Sequence, residues 1–140
     1  VGSMLAGPAD LIVQARLYRK RLGGGMRQAG VLAAAGLVAL EEMPARMAED
    51  HANARLLGEA IAQVPGLRLV HEIQTNIVIF EADPAQVDAK QVVAGLRERG
   101  ILAGSVRGTR VRLVTHFDVS RQDCERAAEA LAESATATVH

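Results

Sequence analysis

The residues of this sequence best suited to chemistry are cations placed beside glycines. The stretch RLYRKRLGGGMRQAG, residues 16–30, holds four cations, then three glycines, then Arg27. Backbone N–H groups in a glycine-rich turn that leads into a helix point outward together, and the helix dipole adds positive charge, so a phosphate is stabilised there. Lys20 and Arg27 flank the glycines and could donate charge-assisted hydrogen bonds to one anion. The pattern predicts either a small-anion site or a tight interhelical connection.

Arg112, in the stretch RVRLVTHF, is a second candidate. Strand alternation gives this stretch two faces, one with Val111, Leu113 and Thr115 and the other with Arg112, Val114 and His116. If both faces are covered, Arg112 should hold a carboxylate or phosphate, because a buried charge without a partner is costly. On a half-buried strand, Arg112 would instead be an exposed side chain.

Other polar residues have weaker patterns. His116 is a lone histidine at a strand end and is interpreted as structural, and Asp118 as a residue that bonds the turn backbone. A single cysteine, Cys124, excludes a disulfide framework or a thiolate metal cluster and favours a reducing compartment. We expect Cys124 to be a small buried side chain, and we predict no metal site.

Composition limits the partners. The chain has 140 residues, 49% of them hydrophobic, and formal net charge +0, which fits one compact unit or a piece of a larger fold. Zero net charge argues against broad nucleic-acid or membrane-surface binding. No apolar run approaches a membrane span of roughly 18 residues, and we expect a soluble, cytoplasmic protein. Because the first residue is Val1, we also expect a segment upstream.

The elements that must position these residues follow from periodicity. Helices are predicted at 9–22, 27–42 and 45–64, after a short strand in 1–7. The second is apolar nearly all round, which is typical of a helix buried on most sides. The third places Met47, Ala54, Leu57, Ile61 and Val64 at helical spacing on an apolar face.

From Leu67 the pattern alternates between strands and helices. Strands are predicted at 67–70, 75–80, 101–105 and 110–116, with helices at 89–99 and 120–133. Ser120 and Asp123 have capping-box spacing. The order β-β-α-β-β-α predicts an α/β chain with a mainly antiparallel sheet and helices on one face.

Five segments together resemble a known family: VGSMLAG, RKRLGGGMRQAGVLAAAGLVALEEM, EDHANAR, TNIVIF and RLVTHFDVS. They are similar to the C-terminal half of the low-specificity threonine aldolases, which are pyridoxal-phosphate (PLP) enzymes of the aspartate-aminotransferase-like fold type I. The resemblance runs from Val1 to about Glu133. It implies that 1–44 ends the large PLP-binding domain, that 45–133 is the small C-terminal α+β domain, and that 134–140 is a tail.

The resemblance also implies residue roles. Arg112 matches the arginine that binds the substrate α-carboxylate. Lys20 and Arg27, with Gly24 and Gly25 between them, match contacts that reach the cofactor phosphate or substrate of a neighbouring subunit in a homo-oligomer, a dimer or tetramer.

The family's Schiff-base lysine is expected a few residues before the start of this chain. The chain holds two lysines, Lys20 and Lys90. On its residues alone, Lys20 would be the plausible internal Schiff-base candidate, whereas the resemblance makes it a contact residue. No catalytic residue is therefore assigned here, and the chain is expected to be inactive without the upstream half of the enzyme.

The implied reaction is cleavage of L-threonine or L-allo-threonine, small β-hydroxy amino acids, to glycine and acetaldehyde. This reaction belongs to threonine catabolism and glycine biosynthesis. Two alternatives remain open: another fold-type-I PLP lyase or transferase, and a non-catalytic α+β module that binds a small anionic metabolite.

Overall fold

The computed structural model describes residues 4–136, without the side chains of Val106 and Thr136. The chain divides into two compact units, the first ending at Arg46 and the second beginning at Met47. The strand predicted within 1–7 lies partly outside the described residues, and 4–8 form no regular element.

The first unit consists of helices α1 (Ala9–Arg21) and α2 (Gly30–Glu41) and the start of α3 (Met43–Ala62). α1 has Asp10 in its first turn and Arg19, Lys20 and Arg21 in its last, charges that complement the helix dipole. Neither α1 nor α2 contains a buried residue in the described part of the chain.

α2 begins at Gly30, three residues later than the predicted start at Arg27. The reason is Gln28, whose φ of 49° is left-handed and cannot continue a right-handed helix. No side chain caps the new start, because the N-cap residue is Ala29.

α3 accommodates Pro44 in its first turn, where the missing N–H costs no helical hydrogen bond. Met47 was predicted on the buried face, but it is 49% exposed. The buried positions of α3 are Asp50, Asn53, Ala54, Leu57, Gly58 and Ile61.

The second unit contains a four-stranded sheet. Its elements are β1 (Leu67–Leu69), β2 (Ile77–Ala82), α4 (Ala89–Glu98), β3 (Gly104–Arg107), β4 (Arg110–Val114) and α5 (Arg121–Thr136). The strands lie in the order β1-β2-β4-β3, and each neighbouring pair is antiparallel. The predicted element order and antiparallel sheet are confirmed, although β3 starts at Gly104 rather than at Ile101.

One face of the sheet forms the core. Val78, Phe80 and Ala82 of β2 and Val111 and Leu113 of β4 are buried there, together with residues of α3, α4 and α5. The opposite face carries residues that are exposed or partly exposed. Helices therefore cover one face, as predicted.

α5 continues to Thr136, beyond the predicted helix end at residue 133. Ser134 and Ala135 are buried, so they belong to the packed fold rather than to a tail. Residues 137–140 lie outside the described part. No helix within the described residues is long and apolar enough to cross a membrane.

Candidate functional site

The glycine turn after α1 closes that helix. Gly23 has φ +80°, and its N–H donates to the Lys20 carbonyl at 3.3 Å, while the Gly24 N–H donates to the Arg19 carbonyl at 2.8 Å. These two bonds form a Schellman cap, which satisfies orphan carbonyls at a helix end. The N–H of Gly24 is therefore bonded within the helix cap.

Gly25 lies under the Lys20 side chain. A Cβ at Gly25 would lie 3.2 Å from Lys20 Cδ and 3.7 Å from Lys20 Nζ. The missing side chain thus lets the ammonium group approach the backbone closely. Within the described residues, Lys20 makes no ion pair.

Arg27 is exposed and precedes α2 by three residues. The glycines do not lead directly into a helix, because Met26 to Ala29 intervene. The predicted helix start at Arg27 is therefore wrong, whereas an anion site at this turn stays a prediction. The structure brings the Lys20 side chain close to Gly25. Gly25 and the exposed cation Arg27 lie on the same short connection between α1 and α2.

Arg112 lies in the middle of β4 on the exposed face of the sheet. Its strand partners are Ile79 of β2 and Gly104 of β3. Directly opposite residues of antiparallel strands project on the same face. Gly104 has no side chain, so it leaves space beside Arg112.

Glu81, a carboxylate on this face, is already paired. Glu81 accepts from Arg68 at 2.8 Å, from Thr109 at 3.3 Å and from Arg110 at 3.4 Å. In residues 4–136, no carboxylate pairs with Arg112. Its guanidinium is therefore available to a carboxylate that the described chain does not supply.

Apolar side chains accompany Arg112. Ile77 and Val114 are paired across β2 and β4, and both share its exposed face with Ile79. Three apolar side chains beside Arg112 suit a carboxylate site that is covered by other protein, since low polarity strengthens an ion pair.

Sequence reasoning missed a buried polar cluster at the end of β4. Thr115 is 1% exposed, and its Oγ1 donates to the Asp50 carbonyl at 2.7 Å. Its backbone N–H donates to the Asn76 carbonyl at 3.0 Å, and Asn76 Nδ2 donates to the Thr115 carbonyl at 2.7 Å. Helical spacing from Ala54 and Leu57 was a signal for burial of Asp50 and its neighbour Asn53.

The remaining candidates lie near the start of α5. His116 Nδ1 lies 3.5 Å from Asp118 Oδ2, and both side chains are largely exposed. Cys124 is buried as expected, and that burial raises the pKa of its thiol. Among the described residues, no group of three His, Cys, Asp or Glu side chains could hold a metal ion.

Comparison with solved structures defines the fold class. The cysteine desulfurase CsdA from Escherichia coli matches 82% of this chain and 32% of its own length, with TM-score 0.67 and 19% identity. At that identity the match shows the fold alone, which is that of fold-type-I PLP enzymes.

Comparison with known sequences defines the family. The sequence profile described as "Beta-eliminating lyase" matches residues 1–85. The chain belongs to the β-eliminating lyase family. It is 39% identical over 125 residues to "Low-specificity L-threonine aldolase 1" of Arabidopsis thaliana, covering 88% of this chain and 35% of that protein.

A bacterial relative gives the same result. The low specificity L-threonine aldolase of Escherichia coli strain K12 is 39% identical over 122 residues, covering 87% of this chain and 35% of that protein. The chain therefore spans about a third of the length of these relatives. These matches confirm the resemblance to threonine aldolases. They also agree with the PLP cofactor that the resemblance implies.

The cations described above have the chemistry that suits a phosphate and a carboxylate. Lys20 and Arg27 are cations without ion pairs in the described residues, and Gly25 leaves room beside the Lys20 ammonium. That arrangement suits a phosphate. Arg112 offers a planar two-donor fork that suits a carboxylate.

Proposed function

We propose that this chain is the C-terminal portion of a PLP-dependent threonine aldolase that cleaves L-threonine or L-allo-threonine to glycine and acetaldehyde. The observation that carries the proposal is 39–41% identity to low-specificity threonine aldolases over most of the chain. In cells the reaction would remove threonine and supply glycine, and we place the complete enzyme in the cytoplasm.

Arg112 binds the substrate α-carboxylate in this proposal. PLP, when bound, supplies an electron sink for the bond that breaks. Retro-aldol cleavage needs the Cα–Cβ bond perpendicular to the conjugated ring, and a bidentate clamp on the carboxylate fixes that rotation. The unpaired guanidinium among Ile77, Ile79 and Val114 supports this role.

Lys20 and Arg27, with Gly24 and Gly25, contact the phosphate or substrate of a neighbouring subunit. Gly24 contributes by closing α1, and Gly25 by admitting the Lys20 side chain. Because Lys20 is exposed in the last turn of α1 and Arg27 is exposed on the connection to α2, both can reach a site on another chain. The complete enzyme is accordingly a homo-oligomer.

The upstream half of the enzyme supplies what this segment lacks. The base that takes the β-hydroxyl proton and the Schiff-base lysine both belong there, so this segment alone does not turn over threonine. The exposed apolar residues of α1 and α2 support packing of this segment against that half or a second subunit.

The test is Arg112→Lys in the complete enzyme. Lysine keeps the charge but loses the two-donor fork, so the carboxylate is held at one point and can rotate. We expect kcat/KM for threonine to fall about 100-fold, roughly 3 kcal/mol of transition-state stabilisation, with cofactor content unchanged.

Arg110→Lys is the matched control. Arg110 lies two residues away on the same strand face, but it is paired with Glu81. We expect its kcat/KM to stay within about threefold of wild type, because exposed ion pairs contribute little. Equal losses of kcat/KM in both variants, or no loss in Arg112→Lys, would contradict the proposal that Arg112 binds the substrate carboxylate.

The reaction itself is tested separately, since fold type I hosts many chemistries. Acetaldehyde release from threonine and allo-threonine should be measured beside transamination and desulfuration. Activity only in the latter assays would assign another PLP reaction. Binding of a small anion without PLP and without turnover would favour the non-catalytic module.

A further inference from the structure

Beyond Arg112, β4 loses its support on one side. The pairing of β3 with β4 reaches Gly104 opposite Arg112, and within the described residues no β3 partner faces Leu113 or Val114. On the other side, β2 continues to pair up to Ile77 opposite Val114. The end of the strand that carries Arg112 is therefore held mainly from the β2 side.

Thr115 closes this end with three short hydrogen bonds. Its backbone N–H donates to the Asn76 carbonyl, which extends the β2 pairing by one bond, and its own carbonyl accepts from the Asn76 side chain. Its hydroxyl donates to the carbonyl of Asp50 in α3 at 2.7 Å. One residue thus attaches the end of β4 to a neighbouring strand and to a helix.

The three partners come from three of the sequence segments that carried the resemblance. Asp50 lies in EDHANAR, Asn76 in TNIVIF, and Thr115 in RLVTHFDVS, the segment that also holds Arg112. Asn76 and Thr115 are 39 residues apart in the sequence and Asp50 and Thr115 are 65 apart, and the structure brings all three together at one buried point. Because these residues are far apart in the sequence, only the folding of the chain brings them into contact.

Thr115 cannot contact a ligand that Arg112 binds. Successive side chains of a strand alternate between faces. Thr115 is buried on the core face, whereas Arg112 is on the exposed face. Any influence on the arginine must pass through the backbone of β4.

We infer that Thr115, with Asn76 and the Asp50 carbonyl, is a positioning residue that fixes the backbone of β4 so that Arg112 meets the substrate carboxylate. The inference rests on the proposed function of Arg112. A misplacement of about 1 Å in a positioning group can cost about 100-fold in rate, so a modest loosening of β4 is measurable.

A double-mutant cycle in the complete enzyme tests this inference. Thr115→Val keeps the side-chain shape and removes the hydroxyl bond. We expect kcat/KM for threonine to fall about tenfold, with cofactor content unchanged, and Thr115→Ser to restore it to within about threefold. In the Arg112→Lys background, Thr115→Val should add less than about a twofold loss, because the group it positions is already gone.

Thr109→Val, in the turn just before β4, is the matched control. It removes a hydroxyl bond to Glu81 on the exposed face, and we expect kcat/KM to remain within about twofold. As a readout independent of turnover, hydrogen exchange of the amides in 112–116 should accelerate in Thr115→Val and not in Thr109→Val.

A full tenfold loss that repeats in the Arg112→Lys background would overturn the inference, because Thr115 would then act independently of the arginine. No loss in Thr115→Val would also overturn it. If Thr115→Val does not fold, Asn76→Ala, which keeps the backbone bond to Thr115, carries the same cycle. Failure of Arg112→Lys alone to lose activity would instead remove the proposed carboxylate role.

Discussion

In α4 the side chains of Val92 and Leu96 are completely buried, whereas in α2 Val31 and Leu40 are 76% and 73% exposed. Both helices are rich in apolar residues. α4 alternates them with charges and lies in a unit that has its own sheet, while α2 is apolar nearly all round and buries nothing in the described residues. An apolar pattern predicts that a residue needs a partner surface, and it does not say whether that surface is in the same chain.

The largest expected difference is in the free energy of unfolding, when a leucine is changed to alanine in each of the two units. Leu131→Ala, at a fully buried position of α5, should lower the free energy of unfolding of this chain by about 2–5 kcal/mol, through lost burial and a residual cavity. Leu40→Ala in α2 should change it by no more than about 0.5 kcal/mol. Denaturant unfolding measures both.

The complete enzyme provides the contrasting measurement. If other protein covers α2 there, Leu40→Ala should become destabilising by about 1 kcal/mol or more. A Leu40 effect equally small in the chain and in the complete enzyme would show that α2 is not a packing surface.

The second unit was largely predictable because its contacts are internal. The alternation of RVRLVTH predicted that Val111, Leu113 and Thr115 share one face, and the structure buries that face. Strand ends were less predictable: β3 was predicted to start at Ile101, but its pairing with β4 begins only at Gly104. Asp50 was missed because its buried backbone carbonyl, and not its charge, meets Thr115.

The first unit was less predictable for local reasons. Nothing in the composition of MRQA marks Gln28 as the left-handed residue that delays α2. Gly23 was predictable as a helix stop, but its cap uses the Gly24 amide that was expected to face an anion. The roles of Lys20, Arg27 and Arg112 stay predictions that rest on the resemblance.

A glycine-to-alanine substitution in each unit should have stability effects of intermediate size and of opposite sign. A Cβ at Gly95 of α4 would lie 2.6 Å from Ser134 Oγ and 2.9 Å from its Cβ, so Gly95→Ala should cost about 1–3 kcal/mol by overpacking α4 against α5. A Cβ at Gly36 of α2 meets nothing within 4 Å. Gly36→Ala should therefore stabilise α2 by about 0.5–1 kcal/mol in this chain, as thermal unfolding and helicity would report. A destabilised Gly36→Ala would mean that a neighbour already approaches this helix.

Arg27→Ala tests whether the first unit acts on another subunit. Loss of one charge-assisted contact should weaken cofactor retention or turnover of the complete enzyme by about 1–3 kcal/mol. Hybrids of this variant with one lacking the Schiff-base lysine should regain activity, because one site then receives an intact lysine and an intact Arg27.

Arg112→Lys in the same hybrids is the control from the second unit. The resemblance assigns no action on a neighbouring subunit to Arg112, so we expect no recovery of activity. Recovery with Arg112→Lys, or its absence with Arg27→Ala, would contradict this division of roles. Activity per hybrid is measured after separation by charge tags.

The smallest expected effect comes from helix starts. α2 begins without a side-chain cap, whereas α5 begins with a reciprocal one, in which Asp123 N–H donates to Ser120 Oγ at 3.2 Å and Ser120 N–H donates to Asp123 Oδ2 at 3.1 Å. The hydrogen bond from the Ser120 hydroxyl, followed by that from its backbone N–H, lowers the pKa of Asp123 below its ordinary value of 3.8.

A carboxyl whose pKa is lower in the folded state than in the unfolded state stabilises the fold fully at pH values above its unfolded-state pKa. That contribution disappears as the pH falls through the folded-state pKa. The gap in denaturation midpoint between wild type and Asp123→Ala should thus be constant above about pH 5 and close below pH 3.8. In a Ser120→Ala background the pH dependence should weaken, because the largest cause of the lowered pKa is gone. A gap that widens as the pH falls would mean that the neutral carboxyl, rather than the carboxylate, caps α5.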